Sequence, residues 1–308
     1  MSDTRVKIAA VRRLTVHDGP GVRDTVFVKG CPLNCVWCHN PESISGRPQL
    51  LYHENVCSGC GDCSAVCPQG VHEFKAGRHV LDRKKCISCG ACAENCCFNA
   101  LEICGKSMTA DDVFSQVIRD KDFFDPVGGV TLSGGEPALF PDFSAALFQK
   151  LRQAGIHTAL DTCGAVAFEN YRKILPFTNL VLFDLKGMDP RRHKVHTGKD
   201  NKLIHKNLQQ ISVWGTPIEI RMPIVPGLND FPEDIEQTGL LLTKIKTLTM
   251  IRLLPYHPLA ASKYAAAGMP DPLMQAAGKP VTVPPSQREL ENIAGILQSY
   301  HLKTILSR

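Results

Sequence analysis

The sequence predicts an α/β fold: a partial (β/α)6 barrel interrupted after its first strand by a small cysteine-rich module. Three observations carry this. Short β-rich runs alternate with helical stretches of about 10–15 residues, the pattern of βαβ units and a parallel sheet. Each β-rich run ends in glycine or charged residues, as barrel strands do at the face that carries an active site. Thirteen of the fourteen cysteines fall between Cys31 and Cys104, and most of them occupy a stretch unlike either flank.

The first strand, Thr25-Val26-Phe27-Val28, runs into a C-x3-C-x2-C triplet formed by Cys31, Cys35 and Cys38. Three thiolates are one fewer than a cubane iron–sulfur cluster needs. Four-Cys clusters are saturated and mostly pass electrons. An iron without a protein ligand can bind a substrate, as a catalytic metal keeps a vacant position. A structural zinc loop is the alternative, with His39 as the fourth ligand.

The module spans 52–106. Cys57-x2-Cys60-x2-Cys63-x3-Cys67-Pro68 is the bacterial ferredoxin run, and Cys86-x2-Cys89-x2-Cys92-x3-Cys96 repeats it 29 residues later. In such duplicated modules the fourth cysteine of each run crosses to the other cluster. That assigns Cys57, Cys60, Cys63 and Cys96 to one [4Fe-4S] cluster and Cys86, Cys89, Cys92 and Cys67 to a second. Cys97 stands where proline is usual and competes with Cys96; spacing favours Cys96. Cys104 and Cys163 fit no run and read as small buried residues.

The remaining strands follow in order. Gly129-Val130-Thr131-Leu132-Ser133 ends in Gly134-Gly135-Glu136-Pro137. His157-Thr158-Ala159-Leu160-Asp161 continues to Thr162. Leu180-Val181-Leu182-Phe183-Asp184 leads to Lys186. Ile218-Glu219-Ile220-Arg221 runs on to Pro226-Gly227, and Ile251-Arg252-Leu253-Leu254 to Pro255-Tyr256-His257. Helices are predicted over 109–121, 142–154, 201–214, 232–245 and 286–300. The first opens with a Thr/Asp cap and carries Val113, Phe114, Val117 and Ile118 on one side.

Charge and composition narrow the function. The net charge of +5 is scattered and makes no nucleic-acid footprint. No apolar run approaches the roughly 20 residues of a membrane span, and the N-terminus has no signal-peptide h-region. Many cysteines without a secretion signal read as metal ligands. A cytoplasmic protein with no membrane or nucleic-acid partner is expected.

The strand ends bring candidate ligands to one mouth. Gly134 and Gly135 let backbone approach a ligand closely, and Glu136 offers carbonyl and carboxylate acceptors for an ammonium group; a glycine turn before a helix is the plain alternative. Asp184 and Lys186 share one side of a strand end, or form an ion pair. Asp161-Thr162 also suits a turn or cap. His257 also suits an ordinary loop, and Arg221 also suits a barrel ion pair.

The full set of motifs is His17-Asp18-Gly19-Pro20-Gly21-Val22-Arg23, Phe27-x2-Gly30-Cys31-Pro32-x2-Cys35-x-Trp37-Cys38-x-Asn40-Pro41-Glu42-Ser43, Thr131-Leu132-Ser133-Gly134-Gly135-Glu136-Pro137, Asp184-Leu185-Lys186, Val225-Pro226-Gly227 and Leu253-Leu254-Pro255-Tyr256-His257. Together they resemble the glycyl-radical-enzyme activating enzymes of the radical S-adenosylmethionine (SAM) superfamily. The matches run over about residues 15–265. The insert resembles the long form of that family, such as the glycerol dehydratase and choline lyase activases, whereas pyruvate formate-lyase activase lacks it. Cys38-His39-Asn40 resembles the short form.

The resemblance implies a TIM-like radical SAM barrel with an inserted ferredoxin-like domain, divided as 1–51, 52–106 and 107–308. It implies three [4Fe-4S] clusters, reductive cleavage of SAM to a 5′-deoxyadenosyl radical, and abstraction of a Cα hydrogen from a glycine of a partner glycyl radical enzyme. No catalytic side chain is implied beyond the cluster and SAM. SAM would be held by Trp37, Gly134, Gly135, Glu136, Asp184, Lys186, Arg221 and His257. Asp161, with the Thr162 and Leu182 carbonyls, would match a monovalent-cation site. A flavodoxin or ferredoxin would supply electrons, through the inserted clusters or past them. A radical SAM maturase of another peptide residue, or a ferredoxin-like electron carrier, are the rival readings. The carrier has no use for the motifs outside the insert.

Overall fold

The protein is described by a computed structural model over residues 4–124, 126–275 and 283–307. All six expected strands form. Arg23–Val28, Gly129–Gly134, His157–Thr162, Leu180–Asp184, Ile218–Ile224 and Leu248–Pro255 lie side by side in parallel, in chain order. Three more strands extend the sheet. Val6–Thr15 and Lys106–Met108 add antiparallel beyond Arg23–Val28, and Thr304–Leu306 adds in parallel beyond Leu248–Pro255. The sequence reading missed these three. Two are only three residues long, and Val6–Thr15 buries only Val6 and Ile8, too weak an alternation to register.

Side chains alternate across the sheet. Val26, Leu132, Leu160, Phe183, Ile220 and Leu253 point to one side, into an apolar core shared with the helices. Their neighbours Ser133, Asp161, Asp184 and Arg221 therefore point to the other side, inside the barrel. Ala159, Leu180 and Leu182 plug that interior below them. Slipping any strand by one residue would exchange the two sets. Each leucine-sized side chain moved to water forfeits about 1.5–3 kcal/mol, so the apolar side fixes the register that aims the polar side.

The five expected helices form as Ala110–Val117, Pro141–Gln153, Lys202–Trp214, Pro232–Leu242 and Gln287–Ser299. The first and last open with reciprocal capping boxes, Thr109 with Asp112 and Ser286 with Glu289. Short helices at Phe168–Ile174, Pro190–Thr197, Ala261–Ala267 and Pro272–Gln275 were not anticipated. Among the described residues no helix is long and apolar enough to cross a membrane.

The module closes on itself. Gln49–Tyr52 pairs antiparallel with Leu101–Cys104, and His72–Lys75 forms a hairpin with Arg78–Leu81. Its pairing thus begins at Gln49, slightly before the expected boundary at 52, and the chain re-enters the main sheet at Lys106–Met108.

Candidate active site and cluster pockets

A cavity of about 550 Å³ opens at the C-terminal ends of the barrel strands. That volume lies in the range of small-molecule sites. Cys31, Cys35 and Cys38 form one wall, on the loop after Arg23–Val28. The loop is pinned by backbone: Gly30 N–H donates to Ser43 O at 2.8 Å, Asn34 N–H to Thr197 O at 2.8 Å and Val36 N–H to His196 O at 2.9 Å. Lys263 reaches across to His39 O, Asn40 Oδ1 and Glu42 Oε1 at 2.8, 2.7 and 3.0 Å.

Burial pushes the Cys35 thiol up to about 12 and Cys38 to about 11. Three thiols desolvated together on one wall are a donor set that a cationic metal cluster would stabilise as thiolates. Cys31 differs: a hydrogen bond from Cys163 pulls it below the usual thiol range. Cys163, which the sequence reading set aside, lines the same cavity. The Cys31 bond and burial hold its own thiol well above the usual value, so it keeps its proton and donates. Its position immediately after Asp161-Thr162, at a strand end already singled out, was the signal available in the sequence.

Gly134, Gly135, Asp161, Thr162, Asp184, Lys186, Arg221, His257 and Trp37 line the cavity opposite and beside the cysteines. Lys186 Nζ pairs with Asp184 Oδ2 at 2.6 Å. Burial alone would lower the Lys186 ammonium, but Asp184 and the nearby Cys35 outweigh it and hold it charged. Arg221 Nη1 lies 3.4 Å from Asp161 Oδ2 and 3.5 Å from Asp18 Oδ1. Ser133 donates to the same Asp161 Oδ2 at 2.6 Å. Asp161 Oδ1 is buried without a partner among the described residues, and burial pushes this carboxyl up to about 7. An orphaned, desolvated carboxylate oxygen fits a cation. The His257 ring lies 4.2 Å from His39, and burial holds His39 down to about 4.

One expected side chain lies elsewhere. The Glu136 side chain is wholly buried and does not line the cavity. Its carboxylate accepts from Thr162 Oγ1 at 2.8 Å, Cys163 N–H at 2.8 Å and Ala138 N–H at 2.9 Å. Those bonds commit it to bracing two strand ends, which leaves no carboxylate oxygen turned toward an ammonium ligand. The Thr162 hydroxyl is engaged by Glu136 and Tyr171, which leaves its carbonyl, the expected cation ligand, apart from that network. The Leu182 side chain sits in the barrel plug; the atom expected to meet a cation is its main-chain carbonyl.

In the module, Cys57, Cys60, Cys63 and Cys96 surround one small cavity, and Cys67, Cys86, Cys89 and Cys92 surround a second. Exposed Cys97 lines neither. Val71 N–H donates to Cys67 Sγ at 3.4 Å and Ala100 N–H to Cys96 Sγ at 3.3 Å. These duplicated bonds aim backbone donors at sulfurs that would be thiolates in a cluster. Cys104, by contrast, packs against Lys29, 3.8 Å from its Nζ.

Residues 87–242 match the profile of the Radical SAM superfamily, and residues 49–97 that of the 4Fe-4S dicluster domain. The chain is 36% identical over 314 residues to the indoleacetate decarboxylase activating enzyme of Tractidigestivibacter scatoligenes, covering 98% of each chain. It is 37% identical to the trans-4-hydroxy-L-proline dehydratase activating enzyme of Clostridioides difficile, covering 96% of each. Among solved structures, a radical SAM methyltransferase from Sphaerobacter thermophilus superposes on 92% of this chain and 66% of its own, with a TM-score of 0.54 and 13% identity, which speaks to the fold.

Proposed function

On the premise that this chain belongs to the radical SAM activating enzymes of glycyl radical enzymes, we propose how its own residues do that work. Cys31, Cys35 and Cys38 hold a [4Fe-4S] cluster with one iron free of protein thiolate. When bound, that cluster and SAM supply a one-electron reductive cleavage whose 5′-deoxyadenosyl radical takes the Cα hydrogen from a glycine of the partner enzyme. The chain's residues position and exclude. The backbone at Gly134 and Gly135 receives the SAM amine. Lys186, kept charged by Asp184, and Arg221 offer positive charge to its carboxylate, and Asp161 holds a monovalent cation beside it. Trp37 and His257 wall the nucleoside. Cys163 donates to Cys31 from behind.

Two more [4Fe-4S] clusters sit on Cys57, Cys60, Cys63 and Cys96 and on Cys67, Cys86, Cys89 and Cys92. Such saturated clusters would supply an electron relay from a flavodoxin or ferredoxin. Leu259, 73% exposed at the cavity rim, offers an apolar contact to the entering glycine loop.

The observation that carries this reading is the single mouth that gathers three cluster cysteines, a glycine turn and a half-buried Asp184–Lys186 pair. Anaerobically reconstituted protein, reduced with dithionite and given SAM, is expected to release 5′-deoxyadenosine, and Cys35→Ala to release none. With a glycyl radical enzyme encoded beside it, a glycyl doublet should appear by electron paramagnetic resonance. Zinc in place of iron at Cys31, or no nucleoside from the reduced parent, would sink the reading.

A further inference from the structure

The module's two halves differ where they meet. A shift of 29 residues maps one cysteine run onto the other, and maps one strand pair onto the other as well. Leu50 opposite Ile103 becomes His79 opposite Phe74, and Leu101 opposite Tyr52 becomes His72 opposite Leu81. Two leucines, each 3% exposed, thus correspond to two buried imidazoles. His79 lines the cavity of Cys57, Cys60, Cys63 and Cys96; His72 lines the other. The rings join, His72 Nδ1 to His79 Nε2 at 2.9 Å. His79 Nδ1 lies 3.7 Å from Cys57 Sγ, and its Nε2 lies 3.7 Å from Cys63 Sγ. Phe74 stacks on the His79 ring at 4.6 Å and Tyr52 meets it edge-on at 4.7 Å, which fixes its plane. His72 Nε2 is buried without a partner among the described residues.

A neutral imidazole carries one N–H. One arrangement uses both donors: His72 Nδ1–H donates to His79 Nε2, and His79 Nδ1–H donates to Cys57. The reverse would turn the His79 Nδ1 lone pair to Cys57 in place of the Nε2 lone pair to Cys63, and would bury a His72 N–H with no acceptor, which costs more. Hydrogen bonds to ligand sulfurs stabilise the added charge of a reduced cluster and raise its potential. At the related position of the second cluster, Leu50 has no donor. Cys86, the counterpart of Cys57, accepts the Ser88 backbone N–H at 3.4 Å instead.

We propose that His79, oriented by His72, is a positioning residue that donates to Cys57 and raises the reduction potential of the Cys57-side cluster alone, so that the duplicated clusters are electronically distinct. The proposal rests on the reading that the module carries two clusters.

Redox titration of the whole holoenzyme without SAM tests it, read by electron paramagnetic resonance with iron and sulfide counted in every sample. In His79→Phe one module signal should move to more negative potential; where the parent cluster is half reduced, the variant's reduced fraction should be several-fold lower. The other module signal should stay. His79→Asn, whose amide N–H can stand in for Nδ1–H, should restore the parent midpoint. Unmoved midpoints in iron-replete His79→Phe, or His79→Asn displaced as far as His79→Phe, would overturn the proposal. Should His79→Phe not load, His72→Leu, which restores the residue of the other half and removes the donor to His79, should give a smaller shift of the same sign; no shift overturns it. An iron count in the parent that accounts for the Cys31 cluster alone overturns the two-cluster reading and the proposal with it.

Discussion

Asp24 lies on the barrel strand Arg23–Val28 with no exposed surface. Its Oδ1 accepts the Leu14 N–H at 2.9 Å, and its Oδ2 is buried without a donor among the described residues. Burial, only partly offset by the Leu14 bond, pushes this carboxyl up to about 6. The Asp120 carboxylate nearby adds to the shift and is itself bonded by Arg13. In the unfolded chain the ordinary value is 3.8, so the native state binds the proton more tightly. Stability from this group is therefore fully present below the unfolded value and is lost as pH rises through the folded one. Asp24→Asn keeps the acceptor for Leu14 and cannot ionise. The margin by which its melting temperature exceeds the parent's should widen from pH 5 to pH 8, because the parent's buried carboxyl is still largely protonated near pH 5 and ionised near pH 8. Anaerobic melting followed by circular dichroism at both pH values checks this. A gap of equal size at the two would show that Asp24 titrates as an ordinary carboxyl.

The glycine turn and the cluster loop behave as one element. Glu136 N–H donates to Gly30 O at 2.8 Å, and Gly135 N–H to Val28 O at 2.9 Å. A Cβ on Gly135 would overlap Gly30 O and come within 2.8 Å of Ser43 O. Backbone on both sides has no room to yield, so Gly135→Ala must part the turn from the loop. SAM affinity should fall about tenfold or more, equivalent to about 1.4 kcal/mol, while iron bound in the module stays at the parent level. Equilibrium binding to the reconstituted protein measures it, and parent-like affinity would separate the turn from the site. The turn was legible because a glycine pair after a β-rich run has a physical meaning in one dimension. The six central strands were legible for a similar reason: alternation writes Leu160 and Asp161, or Phe183 and Asp184, onto opposite sides. Orientation beyond the strand was not. Glu136 looked like a ligand beside its glycines, but the partners that turn it inward, Thr162 and Cys163, lie on a different strand end. His72 and His79 were passed over because hydrogen bonding between adjacent hairpin strands leaves no periodic trace. The edge strands escaped because three residues carry too little pattern to read.

At the scale of the whole molecule, one seven-residue helix ties the module to the reaction chamber. Ala261–Ala267 presents Lys263 to the cluster loop at His39, Asn40 and Glu42. Its other end presents Ala266 and Ala267 to Leu51 and Cys104 of the module in a shared apolar cluster. Arg83, from the module, closes the joint by donating to Leu50 O and, at 2.7 Å, to Ala266 O. Any side chain at Gly268 would strike the Arg83 guanidinium. Arg83→Ala leaves two carbonyls without their donor, at a cost of about 1–3 kcal/mol each where water cannot replace it. That loss falls on the joint rather than on either core, because Arg83 takes no part in the apolar core beneath the barrel helices. Amide hydrogen exchange should accelerate across 49–104 and 261–267 and stay slow in Gly129–Gly134 and Leu180–Asp184. Dithionite, a small reductant that needs no docking surface, should drive SAM cleavage in the variant at near the parent rate. On the proposed relay, electrons supplied by a flavodoxin should arrive more slowly. If exchange in the module is unchanged, Arg83 is not what holds it in place. If exchange rises but flavodoxin-driven cleavage does not slow, the module's seating on the barrel is irrelevant to electron delivery, and its clusters serve the partner's docking instead.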